Sequence, residues 1–408
     1  MMHRSLDHGR RPPPGSARRC RAAMPLAVVL LAFAAPAAAQ QTVSDVLSFL
    51  LTNRTILTDD FDRDEEAAAM TGSTIASFVV LELATLPVAS SSGGFTYRLD
   101  PALGLDVRAS DSFGPFFTER TLTSGSGHAA IGISYRSARY DRLGGRNLRD
   151  GTLVSTASRL DGESEPFDVE TVTLLIRTDT MTVTGSVGVT DRLDLSAAVP
   201  VVRVSLEGER VDTYRGSVFT QASGAARASG IGDAVVRARY NLLRGRASGL
   251  ALGVEAHLPT GDEENLLGSG RASIAPRVMA SYEGARVGLH GDVSYSLRGI
   301  ARTLGYGGAV TVAATSRLTM VGEVVGRRLD GVGRLVSTTL PHPRLEGVST
   351  IRLTATPETT QSVMAVGGLK WNIASSWLLT ANVVRPLTSA GLNADWVPTI
   401  AFDYEFGE

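Results

Sequence analysis

Nucleophilic catalysis needs a general base within hydrogen-bond reach of a serine or cysteine, so the histidines are weighed first. Beyond the N-terminal leader the sequence has His128, His257, His290 and His342. On a strand, positions i and i+2 share a face. None of these histidines has a serine two positions further on: His257 is followed by Pro259 and His290 by Asp292. Pairing across neighbouring strands is the remaining route, and the expectation is a protein that is not an enzyme. Asp60, Asp62 and Asp64 match the first ligand positions of a calcium loop. Glu65, however, stands where the sharp turn needs glycine, and Thr71 where the bidentate glutamate belongs. That run reads as a solvated helix start. Asp262, Glu263 and Glu264 read as a solvated outward loop, with divalent bridging to lipopolysaccharide as the alternative. Cys20 is the only cysteine and lies in the leader, which leaves no thiol, disulfide or cysteine metal site. No cofactor and no metal is expected.

A second set of polar residues recurs with strand spacing. Asp233, Arg237, Arg239, Glu255, His257, Arg277, His290, Asp292, Glu323, Arg327, Lys370, Asn372, Asp403 and Glu405 occupy the polar phase of alternating segments. Both signs occur, so they form no simple anion or cation filter. Two readings stay open: a polar path for a small solute, or a salt-bridged interior that fills a narrow barrel.

The elements that carry these residues alternate strictly. Met181, Val183, Val187 and Val189 interleave with Thr182, Thr184, Ser186 and Gly188, and a turn at Asp191 leads into Leu193, Leu195, Ala197 and Val199. This period-2 pattern marks strands whose faces meet different surroundings. It repeats through Ala234–Leu258, Ile274–Leu297, Tyr306–Val324 and Val363–Val383, and ends with Trp396–Phe406. The strands run about ten to thirteen residues, closer to the nine to eleven that cross hydrocarbon at a tilt than to the five or six of soluble sheets. Short connections near Asp191, Gly245, Gly284, Ser316 and Ser375 alternate with long ones, Asp141–Asp168, Glu207–Gly230 and Asp330–Gln361. Outer-membrane barrels sort their connections this way, with short turns in the periplasm and long loops outside. Tyr282, Tyr295, Trp371, Trp377, Trp396, Phe402, Tyr404 and Phe406 suit an interfacial aromatic girdle.

Composition agrees. The 408 residues carry 40 Lys+Arg against 41 Asp+Glu, a formal charge of −1, which removes the basic surplus a nucleic-acid binder needs. Arginines at 10, 11, 18, 19 and 21 precede an apolar run from Met24 to Pro36 and then Ala37-Ala38-Ala39. This is the layout of a secretory signal that is removed after export. From Thr42 to about Val88 the spacing of Val43, Val46, Leu47 and Leu50 is helical, with a second helix expected after the acidic run at 59–64.

The segments Gly230-Ile231-Gly232-Asp233, His257-Leu258-Pro259-Thr260-Gly261-Asp262 and Leu267-Gly268-Ser269-Gly270 resemble the outer-membrane proteins of the phenol-degradation meta-pathway family. That family is similar in architecture to outer-membrane channels for fatty acids and aromatic hydrocarbons. Phe406 looks like the terminal aromatic read by the barrel-assembly machinery, here followed by Gly407 and Glu408. The resemblance covers about Gly94 to Glu408 and implies a fold rather than a solute.

The expectation is an all-β protein, an antiparallel transmembrane β-barrel of about 12 strands. It becomes 14 if Phe95–Leu99 and Leu105–Ser110 join the wall. Its parts are a signal peptide at 1–39, a helical plug or periplasmic segment at 40–92 and the barrel at 93–408. Its setting is outer-membrane lipid and lipopolysaccharide. The expected role is passive passage of small solutes, hydrophobic ones included; the alternative is a sealed barrel acting through its outer loops.

Overall fold

The computed structural model describes residues 41–51, 71–82, 94–100, 105–245, 247–342, 345–356 and 358–406. The leader and the acidic run at 59–64, with the calcium-loop match, lie outside the described residues. Twelve antiparallel strands form a closed ring. They are β1 (Ala129–Tyr140), β2 (Asp168–Thr190), β3 (Leu193–Tyr214), β4 (Ala234–Arg244), β5 (Ser248–Leu258) and β6 (Ser273–Glu283). The ring continues with β7 (Val287–Ser296), β8 (Arg302–Thr315), β9 (Leu318–Asp330), β10 (Thr360–Ala374), β11 (Trp377–Pro386) and β12 (Val397–Phe406). Closure runs from Phe406 opposite Ala129 to Thr399 opposite Arg136. It removes the open edge whose unpaired groups hydrocarbon would not tolerate.

Outside and inside follow from the alternation. The apolar phase faces outward: Val278, Leu289, Val310, Met320, Leu369 and Ile400 are all exposed. Exposed aromatics gather near the short turns, Tyr240, Tyr282, Trp371, Trp377 and Phe406 among them, and Tyr295 and Trp396 stand toward the other end. The opposite phase is buried and polar, including Thr311, Thr319, Asn241, Thr380 and Asn382. A soluble fold has the reverse order, apolar within and polar without. A closed barrel with this exterior is built for a lipid bilayer, and its place is the bacterial outer membrane.

The twelve strands agree with the expected count, and three features of the arrangement go beyond the sequence reading. The residues at 95–99 and 105–110 do not enter the wall; Tyr97–Asp100 pairs with Leu105–Arg108 as a separate two-stranded piece. The wall therefore has twelve strands and begins at Ala129, with residues 94–100 and 105–128 lying inside it. The long connections are not open loops. β2 and β3 run 23 and 22 residues, far beyond what hydrocarbon requires, and carry an apical sheet. To it belong Leu153–Leu160, Ser217–Ile231, Arg334–Pro341 and Val348–Thr356. Pairing satisfies the backbone groups of these long connections, which otherwise need water or side chains.

Third, the helices are at the apical end. α1 (Val43–Leu51) opens on a reciprocal cap: the Asp45 N–H donates to Thr42 Oγ1 at 3.1 Å and the Thr42 N–H to the Asp45 carboxylate at 3.1 Å. Its buried face (Val43, Val46, Leu47, Leu50) packs with α2 (71–82) and with the inner side of the apical sheet. Leu153, Val172, Leu174, Val204, Leu206 and Leu353 supply that inner side. The Arg210 guanidinium donates to the Leu50 carbonyl at 3.4 Å, and Glu82 of α2 forms an ion pair with Arg327 of β9. Beyond the bilayer, water drives apolar burial again, so an ordinary core forms there; a smaller cluster of Phe95, Phe113 and Leu378 lies inside the barrel.

Candidate functional site

The lumen toward the short turns is filled by residues 94–100 and 105–128, which form a plug. Its main chain, more than its side chains, is what the wall grips. Glu323 accepts the N–H groups of Phe116, Phe117 (3.0 Å) and Thr118 (3.0 Å) and the Thr118 hydroxyl (3.2 Å). Asp292 accepts the Glu119 N–H at 2.9 Å, Ser281 the Thr121 N–H at 3.0 Å and Asp194 the Ser124 N–H at 2.9 Å. Wall donors meet plug carbonyls: Lys370 reaches Phe113 (3.2 Å) and Pro115 (2.7 Å), Arg239 reaches Arg120 (3.1 Å) and Asn241 reaches Thr121 (2.7 Å). The Thr123 hydroxyl donates to the Asp191 carbonyl in a short turn at 2.8 Å. Each buried charge thus meets an oppositely polarised partner, as burial in a low-dielectric interior requires.

Arg120 is wholly buried and folds back on its own segment, donating to the carbonyls of Gly94 (3.1 Å) and Ser112 (3.5 Å).

Above the plug the wall carries a chain of alternating charges. Arg239 pairs with Asp194 and, at 3.4 Å, with Glu119; Arg237 contacts Glu119 at 3.7 Å and Glu255 at 2.5 Å. Arg277 continues the chain to Glu255 at 3.5 Å and to Asp292. Antiparallel register makes it possible: Arg237 stands opposite Glu255, and Met279 opposite Asp292 one pleat from Arg277. His257 joins through Glu255 at 3.0 Å. Glu119 comes from the plug, and its carboxylate links the two arginines of β4.

The three sequence segments that carried the family resemblance converge on one knot. Between Ser217–Ile231 and β4 the strand breaks at Gly232-Asp233. There the Asp233 carboxylate accepts the N–H of Gly261 (3.1 Å) and the N–H (2.7 Å) and hydroxyl (2.6 Å) of Ser269. Thr260 donates to the Gly232 carbonyl at 2.7 Å and accepts the Ala234 N–H at 2.9 Å. Gly261 and Gly268 approach so closely that a Cβ on either would lie 2.6 Å from the other's Cα. The motif therefore latches the 259–270 loop onto the wall. Within that loop Asp262 accepts the N–H groups of Glu264 (3.0 Å) and Asn265 (3.3 Å), so its acidic run is a turn that caps itself. Among the described residues no group of His, Cys, Asp and Glu could hold a metal ion.

Between plug and apical helices lies a cavity of about 170 Å³. Phe117, Val325, Met364, Val366 and Val384 give it an apolar side, and Arg237, Glu255, His257, Arg277 and Asp292 a charged side. Arg271 and Arg298, both exposed, stand at its rim. A smaller cavity of about 60 Å³ lies beside Phe116, Lys370 and Asp403.

Of the residues singled out in the sequence, Asp233, Arg237, Glu255, His257, Arg277, Asp292 and Arg327 border the larger cavity. Arg239, Glu323 and Lys370 hold the plug instead. Asn372 donates to the carbonyls of Ala374 (2.9 Å) and Trp377 (3.2 Å), closing a short turn. His290 meets Ser281 Oγ across strands at 3.1 Å and Thr311 at 3.3 Å, with Glu283 at 3.8 Å. This is the cross-strand pairing left open by the sequence. Ser281 Oγ also accepts the Thr121 N–H, and both His290 and Ser281 are buried under the plug. The functional residues that sequence reasoning missed are those of the plug, Phe117, Glu119 and Thr121 above all. The one signal for them was the Phe113-Gly114-Pro115-Phe116-Phe117 cluster within a stretch rich in Ser and Gly.

Residues 145–319 match the protein family described as the MetA-pathway of phenol degradation, the family that the three converging segments resemble. A comparison with curated protein sequences finds no match. Among solved structures, an outer membrane channel from Pseudomonas putida F1 is similar at 15% identity with a TM-score of 0.42, over 69% of this chain and 96% of that one. A FadL homologue from Pseudomonas aeruginosa is similar at 12% identity with a TM-score of 0.31, over 78% and 98%. The CymD monoaromatic hydrocarbon channel stands at 9% identity with a TM-score of 0.28, over 70% and 90%. Likenesses at this level carry no argument about the solute.

Proposed function

We propose that the protein is an outer-membrane channel for the passive passage of small solutes, hydrophobic ones included. The observation that carries this reading is the cavity of about 170 Å³ in the lumen, apolar on one side and charged on the other. A barrel that served only as a wall anchor would gain more from filling that space, since empty volume costs stability. Solutes enter from the apical end and meet the plug, whose attachment is by hydrogen bonds that exchange with water. The family match and the lipid-facing exterior are consistent with this role.

The test is planar-bilayer conductance of the purified full chain, beside uptake of a neutral aromatic tracer into vesicles that contain it. Current or tracer flux above protein-free vesicles is expected. Neither current nor flux would overturn the channel reading and favour a sealed barrel acting through its apical sheet. One observation supports that second reading: among the described residues Ser217–Ile231 pairs only with β3, and Val218 and Phe219 near the start of this strand are exposed.

A further inference from the structure

We infer that the larger cavity is a binding station for a small amphipathic carboxylate, a one-ring or similarly compact anion whose charge is taken by Arg271 and Arg298. The inference deepens the channel reading, since it names the class of solute that would pause there.

The argument is a balance of partners. Every acid at the cavity is engaged: Glu119, Glu255 and Asp292 lie in arginine pairs, and Asp233 is taken up by Ser269 and Gly261. The inner arginines are engaged too, Arg237 with Glu255, Arg277 with Asp292 and Arg327 with Glu82. Arg271 and Arg298 remain. Among the described residues neither guanidinium has a carboxylate within 4.0 Å. Both stand on apical connections, Arg271 just beyond the latched Ser269 and Arg298 just before Ile300 and Ala301, which also line the cavity. The Asp233 knot holds Ser269, whose hydroxyl bonds the Arg271 N–H and carbonyl, so the Arg271 main chain is fixed at the rim.

An incoming cation would have to displace an existing arginine from its acid. An incoming anion displaces nothing, and a planar guanidinium binds carboxylate through paired hydrogen bonds. Inward of the rim, Ile300, Val325, Met364 and Phe117 offer apolar contact for the body of the ligand. The volume suits one ring, given that an apolar cavity of about 150 Å³ accepts benzene. A hydrated inorganic anion could use the rim but not this wall.

The test is calorimetric titration of the full chain in detergent with benzoate, benzyl alcohol and inorganic phosphate, in wild type and in the R271Q/R298Q variant. Benzoate is expected to bind about tenfold more tightly than benzyl alcohol, more tightly than phosphate, and more weakly as salt rises. The double variant is expected to bind both aromatics alike while its circular dichroism stays unchanged, because both substituted side chains are solvent-exposed. No benzoate binding, equal binding of the alcohol in wild type, or a benzoate preference that survives in the variant would each overturn the inference. Phosphate binding as tightly as benzoate would also overturn it, leaving a plain anion site. Binding needs no transport. Absence of both conductance and tracer flux with intact benzoate preference therefore overturns the channel reading alone, and conductance or flux without benzoate binding overturns this inference alone.

Discussion

Glu323 holds more of the plug than any other single side chain described above, with three N–H groups and a hydroxyl on one carboxylate. Truncation to alanine would leave those donors buried without a partner, at about 1–3 kcal/mol for each. E323A is expected to loosen the plug and leave the wall closed. Limited proteolysis in detergent should then cut within 113–120, and single-channel current should rise. Resistance equal to wild type would mean that the neighbouring contacts suffice. A second residue gives the molecule a pH response outside the bilayer. Asp168, on the apical extension of β2, has its pKa raised from 3.8 to about 7 by burial first and then by Asp212 beside it. Between these two values the folded state holds a proton that the unfolded chain has lost, so apical stability falls as pH rises through that interval. Amide exchange at 168–172, corrected for its intrinsic pH dependence, is expected to speed up from pH 5 to pH 8 in wild type and to stay level in D168N.

At the scale of elements, the strands were legible and the plug was not. A strand between lipid and a polar lumen must alternate, so Val278, Met320 and Leu369 announced their face without reference to any other part of the chain. The plug obeys no period. Its course is set by partners far away in sequence, Phe116 by Glu323 and Thr121 by Ser281, and nothing local encodes such pairings. The polar residues of the wall were found for their alternation, yet their separate uses, some on the cavity and some on plug amides, could not be read from it. The apical sheet was missed for a related reason: lengths of connection suggest loops, while the pairing that orders them is long-range. The knot at Asp233 is an element-scale device with its own expected outcome. D233A removes the acceptor of Ser269 and Gly261 and should release the 259–270 loop. Faster exchange at the amides of 261–270, with β5 and β6 unchanged, is the readout; exchange identical to wild type would show that the glycine contacts alone retain the loop.

For the whole molecule the decisive property is an exterior that only lipid or detergent can cover. Val278 is 50% exposed in the middle of β6. An arginine there would meet hydrocarbon at a cost of about 2–4 kcal/mol near the midplane. V278R is expected to fold into vesicles with lower yield and lower urea stability than wild type, whereas a change at solvated Arg286 in a short turn should do neither. Equal yield and stability for V278R would mean that this face does not touch lipid. The closed ring also explains why the signal for architecture was stronger than the signal for solute: closure constrains every strand, while a binding station depends on a few side chains from separate connections.

The wall holds its inner segment through peptide amides and carbonyls, groups that every residue except proline supplies in full. Such a grip does not depend on the side chain at the position held. Within 116–124, positions other than Glu119, whose carboxylate serves Arg237 and Arg239, and the wholly buried Arg120 could drift in sequence and still be seated by Glu323, Asp292, Asn241 and Asp194. Permeation could then be retuned by rewriting the insert while the surrounding cylinder stayed as it is.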